Sequence, residues 1–386
     1  MAEDASGTAM AAADRPILIS NAIFSTTSHA TGHPLAIPRI SLTMDLIRAL
    51  GWFDADRYIE AEAASPEALM RFHHPDYVAA VQRAEATQTA GAEDRQRFNL
   101  GVNGNPVHAT VFRRPATACG ASLRAARYLR GGGVVYSPAG GTHHGQRGRA
   151  SGYCIFNDPV LAILEMLDQG LERIAYVDWD AHFGDGVQLA FHGEPRVRTI
   201  SIHEAGRWPM ARASEASGFG GLDDRGGGHA RNLPVPAGLN DSEFAWLIDE
   251  AVVPLLEAFQ PQALVVQSGC DALADDPMTR LALANGALWR ALARLMPLAP
   301  RLLVLGGGGY NPWAVGRCWA GVWATLNRQP IPERLPEPAA ALMRSVRWNH
   351  RLGRQPALRW LTFLADPPHE GTVRPAIREM AVQVRA

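Results

Sequence analysis

Three acidic residues and a histidine lie within one short segment of this 386-residue sequence. Asp178, Asp180 and His182 are spaced by two, and Asp185 follows between two glycines. Alternate residues of an extended segment point the same way, so a carboxylate and an imidazole of this run can meet one cation. A lone Asp at the end of a strand more often caps the following helix. Because capping does not explain all four residues together, the segment indicates a metal site.

A second apolar run leads into a further candidate ligand. Residues 263–267 are followed by Ser-Gly-Cys and then Asp271. Two carboxylates and one imidazole leave a coordination position open for water, as in catalytic zinc sites and unlike closed structural ones. A divalent ion held in this way can polarise a carbonyl and lower the pKa of bound water to roughly 7.

Two adjacent histidines, His143 and His144, follow a Gly-Gly turn. Neighbouring histidines rarely both bind one tetrahedral metal, so general acid–base catalysis is the favoured interpretation. The alternative is a solvated pair in a loop.

Four glycines precede Tyr310 after another apolar run. They could cradle a phosphate at a helix N-terminus, although no Lys-Ser/Thr pair follows, so a P-loop is not indicated. Alternatively, the glycines bring the backbone close to a substrate to which Tyr310 donates a hydrogen bond. The spacing alone leaves both interpretations open.

These motifs lie between alternating apolar strands and amphipathic helices. The predicted strands are Ile17–Ser20, Gly133–Ser137, Ile174–Asp178, Val197–Ile202, Ala263–Gln267 and Leu302–Leu305. The predicted helices are Ile40–Leu50, Thr117–Leu129, Pro159–Gln169, Ser242–Phe259, Thr279–Leu295 and Trp313–Leu326. Strand–helix alternation predicts an α/β fold with three layers, α/β/α, around a single open, mostly parallel sheet. In such folds the chemistry lies just beyond the carboxyl ends of the strands.

The composition excludes several functional classes. The formal net charge is −1 and 47% of residues are hydrophobic, so neither a nucleic-acid partner nor a membrane-surface partner is expected. The four cysteines are widely spaced, which is typical of reduced thiols in a cytoplasmic protein. No secretory signal and no apolar run long enough to span a membrane is recognisable. We expect a disordered tail over residues 1–14, a catalytic domain over 15–330 and an extension over 331–386 packed on that domain.

The full set of motifs resembles the histone deacetylase family of the arginase/deacetylase superfamily. The motifs AGGTHH, ASGYCIFND, YVDWDAHFGDGV, ISIHE, QSGCDALADDP and LGGGGYNPW occur in the order seen in that family. The resemblance covers Ile17 to Leu326 and is closest to bacterial acetoin-utilisation-type members. It implies an arginase/deacetylase-like fold.

The resemblance also assigns roles to the catalytic residues. It implies that Asp180, His182 and Asp271 bind one catalytic Zn²⁺ per chain. His143 and His144 match the two active-site histidines, and Asp178 and Asp185 match their carboxylate partners. Tyr310 matches the tyrosine that polarises the scissile carbonyl.

Further positions match the family's substrate and ion sites. Gly152, Tyr153 and Trp208 match an acyl-lysine tunnel, Met278 matches its rim, and Arg39 resembles the arginine of an internal acetate-release channel. A structural K⁺ is implied as well, bound by the backbone carbonyls of Asp178, Asp180 and His182 together with Ser201 and Ile202.

Four positions depart from the family pattern. Phe183 replaces a histidine beside the ligand run, and Thr142 replaces a large aromatic residue. Gly104 occupies the position of an acidic rim residue that grips the substrate backbone, and a Pro-Gly-Thr-Gly loop is absent after ISIHE. The last two departures place peptide gripping in doubt but leave the hydrolytic centre intact.

The leading hypothesis is therefore a zinc-dependent amidohydrolase that removes acetyl or other short acyl groups from lysine side chains or related amines. One rival is a dinuclear manganese ureohydrolase of the same fold, which would need further carboxylate ligands near Asp271. The other rival is an inactive acyl-amine binding protein, which a lost ligand or a lost Tyr310 would support. The sequence distinguishes neither among acetylated proteins, acetylpolyamines and other acyl amides, nor among oligomeric states.

Overall fold

Eight parallel strands form one open sheet in the computed structural model, which describes residues 15–210 and 218–386. The strands are β1 (Ile17–Ser20), β2 (Tyr58–Glu60), β3 (Gly133–Ser137), β4 (Ile174–Asp178), β5 (Val197–Glu204), β6 (Ala230–Val235), β7 (Ala263–Gln267) and β8 (Arg301–Leu305). Their spatial order is β2-β1-β3-β8-β7-β4-β5-β6. The predicted parallel sheet is thus confirmed.

Helices cover both faces of this sheet. They are α1 (Arg39–Ala49), α2 (Pro66–Leu69), α3 (Pro75–Thr87), α4 (Ala92–Phe98), α5 (Arg113–Tyr128), α6 (Asp158–Asp168), α7 (Asp185–Ala190), α8 (Asp241–Leu247), α9 (Val253–Phe259), α10 (Asn285–Leu295), α11 (Pro312–Leu326), α12 (Glu337–Ser345), α13 (Leu358–Thr362) and α14 (Pro375–Gln383). No described helix is long and apolar enough to cross a membrane.

Side-chain alternation along the strands produces two separate cores. Ala175 and Val177 of β4 pack with α1, α10 and α11, whereas Ile174 and Tyr176 pack with α3, α5 and α6 on the opposite face. Strands buried on both faces need apolar residues at every position. The unbroken hydrophobic runs of the sequence therefore lead to a three-layer α/β/α architecture, as predicted.

The sequence prediction missed the two edge strands, β2 and β6. Each is hydrogen-bonded to one neighbour only, and β6 contains Pro234. Edge strands tolerate proline and polar residues because one row of their backbone groups needs no partner strand. These two segments consequently lack the apolar run that identified the six central strands.

Two helix predictions were wrong in detail. Residues 279–284 form no helix, so α10 begins at Asn285 rather than Thr279, and Glu204 binds the backbone N–H of Arg280 in this stretch. The segment predicted as Ser242–Phe259 is interrupted by a π-turn over Ile248–Val252. The described residues 218–229 form a loop with a short 3₁₀ turn at Gly226–Gly228.

The chain beyond residue 330 packs against the helices on one face of the sheet. Met343, Trp360 and Ile377 belong to the same core as α1, α10 and α11. The Trp360 indole N–H donates to Asp275 at 2.6 Å, which ties α13 to the loop after β7. The tail predicted over residues 1–14 lies outside the described residues.

Candidate metal centre

Four adjacent strands deliver every candidate catalytic residue to one edge of the sheet. The order β3-β8-β7-β4 places the loops that carry His143, Tyr310, Asp271 and Asp180 side by side. Parallel strands share the direction of their carboxyl ends, so loops far apart in sequence meet there.

Asp180, His182 and Asp271 converge on one point and are all buried. The candidate ligand atoms lie within 4.8 Å of one another. His182 Nδ1 is 2.8 Å from Asp271 Oδ2 and 3.2 Å from Asp180 Oδ1. Burial opposes the charge on His182, but the two carboxylates outweigh this effect and raise the pKa of its imidazole to about 10. Such a concentration of buried negative charge fits a divalent cation with two oxygen ligands and one nitrogen ligand.

Glycines let the backbone approach these carboxylates. A Cβ on Gly308 would lie 2.2 Å from Asp271 Oδ2, and one on Gly269 would lie 2.3 Å from Asp180 Oδ2. The Gly308 N–H donates to Asp180 Oδ2 at 2.6 Å. The Gly run after β8 thus serves close approach to the ligands, and the phosphate-cradle interpretation of the sequence is unnecessary.

Each histidine of the pair has its own carboxylate partner. His143 Nδ1 lies 2.8 Å from Asp178 Oδ2, and His144 Nδ1 lies 2.7 Å from Asp185 Oδ1. The two rings are 3.9 Å apart between centroids, and both are buried. These bonds fix Nδ1 of each ring. His143 Nε2 lies 3.8 Å from Asp180 Oδ1, and His144 Nε2 makes no hydrogen bond within the described residues.

The protein environment drives the two histidine pKa values apart. For His143, the attraction of Asp178 and Asp180 outweighs burial and raises the pKa to about 9. For His144, burial and the neighbouring His143 lower the pKa to about 4. Two adjacent titratable groups with opposite shifts form a pattern typical of an acid and a base that work together.

Tyr310 points its hydroxyl into the space beside the ligands. Its backbone N–H donates to Asp276 Oδ2 at 2.6 Å, and its hydroxyl makes no hydrogen bond within residues 15–210 and 218–386. Burial and the charge of Asp271 hold the phenol pKa well above its usual value, so the hydroxyl stays a donor.

A pocket of about 590 Å³ leads from the surface to these residues. Gly152, Tyr153, Trp208 and Met278 line it together with His144, His182 and Tyr310. The Trp208 ring lies 4.7 Å from His144 between centroids. Gly152 has φ +53°, and a Cβ there would lie 2.5 Å from the Trp208 ring. The predicted tunnel residues therefore line one and the same pocket.

Arg39 lies on the inner side of the centre. Its Nη1 donates to the Gly307 carbonyl at 2.7 Å, and it borders a cavity of about 60 Å³ that Tyr310 and His143 also line. A second cavity of about 100 Å³ shares Arg39, Thr142 and Tyr153 with the first. The small Thr142 side chain thus stands between two internal spaces.

Gly104 does not line the entrance pocket. Its carbonyl accepts from His33 Nε2 at 3.1 Å, its φ is +82°, and a Cβ there would lie 2.6 Å from the Tyr153 ring. Asn103 lines the entrance instead. A side chain at position 104 would meet the Tyr153 ring unless the backbone or the ring moved, so glycine fits this position.

Sequence reasoning missed residues that support the site from behind. Asp276 binds the Tyr310 backbone, Gln146 donates to Asp185 Oδ2 at 3.0 Å, and the Tyr176 hydroxyl donates to Asp178 Oδ2 at 2.8 Å. Asp276 stands in the recognised motif QSGCDALADDP, so its motif could have identified it. Gln146 has no such signal.

Comparison with known proteins agrees with this geometry. The family model described as "Histone deacetylase domain" matches residues 33–326. The acetoin utilization protein AcuC of Bacillus subtilis is 34% identical over 305 residues, which are 76% of this chain and 77% of AcuC. Histone deacetylase 9 of Arabidopsis thaliana is 33% identical over 79% of this chain and 71% of its own length.

Solved structures give the same result. A histone deacetylase homologue from Aquifex aeolicus superposes with a TM-score of 0.89 at 31% identity and covers 97% of this chain and 100% of its own. A homologue with the same TM-score and identity was crystallised with SAHA. Sequence, fold and the grouping of acidic and histidine side chains at β4 and β7 thus agree, and the chain belongs to the histone deacetylase family, with AcuC-like relatives.

Proposed function

We propose that this chain is a zinc-dependent deacetylase that hydrolyses acetyl or other short acyl amides of lysine side chains or related amines. The observation that carries the proposal is the convergence of three buried ligand atoms at the inner end of a pocket, beside a carboxylate-bound histidine pair and an unbonded phenol. Family membership supports the same activity.

Asp180, His182 and Asp271 are the proposed zinc ligands. A bound divalent ion supplies a Lewis acid for the acyl carbonyl and lowers the pKa of a coordinated water to roughly 7. The backbone N–H groups of Gly308 and Ala181 donate to Asp180 and Asp271, which fixes the orientation of both carboxylates. Such supporting bonds position metal ligands before the metal arrives.

His144 is the proposed general base. Asp185 accepts from Nδ1–H, so the neutral ring presents an unprotonated Nε2 to the pocket. The lowered pKa keeps this ring neutral near pH 7, which allows it to take a proton from the attacking water.

His143 is the proposed acid. Asp178 and Asp180 favour its protonated form, and its ring lies 3.9 Å from that of His144. A proton held on Nε2 can be given to the amine nitrogen as the C–N bond breaks, so that lysine leaves as a neutral amine.

Tyr310 is the proposed oxyanion donor. Its hydroxyl is protonated and makes no hydrogen bond to any described residue, whereas its backbone N–H is bound by Asp276. It therefore reaches the acyl oxygen without breaking an existing bond, and its hydrogen bond strengthens as negative charge develops there.

The manganese ureohydrolase alternative lacks ligands. Among the described residues, the three proposed zinc ligands are the one group of acidic and histidine side chains that meets the geometry of a metal site. Asp276, another buried carboxylate of the same loop as Asp271, accepts instead from the backbone N–H groups of Met278 and Tyr310. The inactive-binder alternative is disfavoured because ligands, histidines and Tyr310 are all present.

Three further assignments belong to the proposal. The substrate passage is formed by Gly152, Tyr153, Trp208 and Met278, with Arg39 at the acetate-release side. A structural K⁺ is supported by the pairing of Asp178 with Ser201 across β4 and β5, which brings the two halves of its proposed ligand set together. Residues 331–386 are proposed as an extension of the 15–330 catalytic domain.

A cytoplasmic location is also proposed. All four cysteines are buried and unpaired. Free buried thiols fit a reducing compartment.

The decisive test is hydrolysis of a panel of acetyl-lysine peptides and acetylpolyamines by purified protein. We expect activity that a chelator abolishes, that added zinc restores, and that SAHA inhibits. Arginine and agmatine serve as negative substrates. Hydrolysis of either one, with no turnover of any acyl amide, would contradict the proposal.

A further inference from the structure

The mouth of the entrance pocket has one charged side chain without a partner. Arg149 lines the pocket, is exposed, and makes no hydrogen bond or ion pair with its guanidinium in the described parts of the chain. The one carboxylate among the lining residues, Asp185, is already bound by His144 and Gln146. We propose that Arg149 selects substrates that carry a carboxylate beside the acylated amine, an inference that rests on the proposed deacetylase function.

The backbone around Arg149 is fixed rather than free. The Arg149 carbonyl accepts from the Gln146 N–H at 3.0 Å and closes a tight turn. The next residue, Ala150, donates to the Phe98 carbonyl at 3.0 Å and accepts from the Asn99 side chain at 2.9 Å. The Arg149 backbone is thus held at a defined place on the rim, from which the guanidinium can reach across the mouth.

The remainder of the described mouth is uncharged. Its side chains are apolar or neutral polar: Asn99, Asn103, Ser151, Leu189, Pro209 and Met278. Among the described residues of the mouth, Arg149 is therefore the charged group that an approaching substrate meets. An anionic group beside the acyl-lysine finds a planar donor suited to carboxylate, whereas a second ammonium, as in an acylated polyamine, is repelled.

The glycine at position 104 makes this charge more important. Glycine offers no side chain to hold the substrate backbone, and its position against Tyr153 leaves no room for one. Side-chain charge is then the main means by which residues flanking the acyl-lysine can affect binding. Because Arg149 is exposed, the effect is modest and is screened by salt.

Arg147 provides a matched control. It lies in the same turn, is exposed, and carries the same charge, but it does not line the pocket. Its carbonyl accepts from the His74 N–H at 2.9 Å, on the side of α3. Replacing either arginine changes the net charge equally, so a difference between the two variants reports position alone.

The test compares kcat/KM at low ionic strength for acetyl-lysine peptides with acidic, neutral or basic flanking residues. A second pair ends at the acetyl-lysine with either a free carboxylate or an amide, which separates an acidic side chain from a chain-terminal carboxylate as the group recognised. We expect the carboxylate substrates to exceed the basic ones by about 3- to 10-fold. Arg149→Ala should remove this ratio, Arg149→Glu should invert it, and Arg147→Ala should retain it.

Several results would overturn the inference. They are equal rates for all flanking charges in the unaltered protein, an unchanged ratio in Arg149→Ala, or the same loss in Arg147→Ala. The rate of hydrolysis of the neutral peptide distinguishes failure of this inference from failure of the proposed deacetylase function. If the neutral peptide is cleaved without charge preference, only the role of Arg149 fails, whereas cleavage of no acyl-lysine substrate refutes the deacetylase proposal itself.

Discussion

The metal centre and the entrance pocket are adjacent but are built in different ways. At the metal centre, the acidic and histidine side chains are buried and bound to one another, as in the pairs of Asp178 with His143 and Asp185 with His144. At the entrance, the Arg149 guanidinium has no partner among the described residues, and Leu189 is 49% exposed. Groups in a dry, connected network cannot change singly without leaving an unsatisfied partner. Solvated rim residues can change at little cost, so we expect the chemistry to follow the family and the substrate choice to be particular to this chain.

The largest effect should come from loss of a metal ligand. Asp271→Asn keeps the side-chain volume and the oxygen that accepts from the Ala181 N–H, but it removes a negative charge from the ligand group. We expect activity to fall to background and zinc content to fall with it, because the Lewis acid is lost. Asp45→Asn, at an exposed position of α1, is the control. Full activity in Asp271→Asn would remove this residue from the ligand set.

Replacement of a histidine of the pair should give the next largest loss of activity. Replacing either His143 or His144 by Ala should cost about 10²–10⁴ in kcat for an acetyl-lysine peptide, the usual range for lost proton transfer. The two roles separate with an aryl acetate, whose leaving group departs without a proton. With that substrate, His143→Ala should lose much less activity than His144→Ala. Equal losses on both substrates would contradict the assignment of acid and base.

Removing the Tyr310 hydroxyl should be the next largest effect. Tyr310→Phe deletes one donor aimed at the developing oxyanion, which typically costs about 10²–10³ in kcat. The variant should keep its thermal midpoint and its zinc, because the hydroxyl has no bond to lose in the described structure. Unchanged turnover would show that Tyr310 has another role.

Contacts at the entrance should change kcat/KM less than the catalytic residues do. Without a carboxylate at position 104, neutral peptides should gain little over a simple acetyl-lysine amide. We expect less than about 100-fold between them in kcat/KM, which corresponds to about 2.7 kcal/mol. A larger preference for one neutral peptide would mean that another entrance residue, such as Asn103, holds the substrate backbone.

Gly104 itself should matter for stability. Gly104→Ala adds both left-handed strain and a contact with the Tyr153 ring, and should destabilise the fold by about 1–3 kcal/mol. Gly32→Ala is the matched control, because Gly32 has φ +99° with nothing within 4 Å of the added carbon. Thermal melts should show a greater loss for Gly104→Ala. Equal losses would mean that Tyr153 moves aside freely.

The same contrast explains what could be predicted from the sequence. Apolar runs such as Ile174–Asp178 identified the central strands, and the acidic and histidine residues at their ends indicated the candidate metal centre, because both depend on local spacing. The sequence did not predict the edge strand Ala230–Val235 or the supporting residue Gln146, because their structure depends on neighbours distant in sequence. The close approach of Gly104 to Tyr153 is likewise a tertiary feature that no spacing could show.

The central claim is that one divalent ion, held by Asp180, His182 and Asp271, performs amide hydrolysis. Elemental analysis of gently purified protein, combined with acetyl-lysine hydrolysis of the same sample, tests this claim most directly. We predict about one zinc per chain, in keeping with a single three-ligand site, with activity proportional to zinc content. Two manganese ions per chain, together with hydrolysis of arginine or agmatine and none of acetyl-lysine, would contradict it.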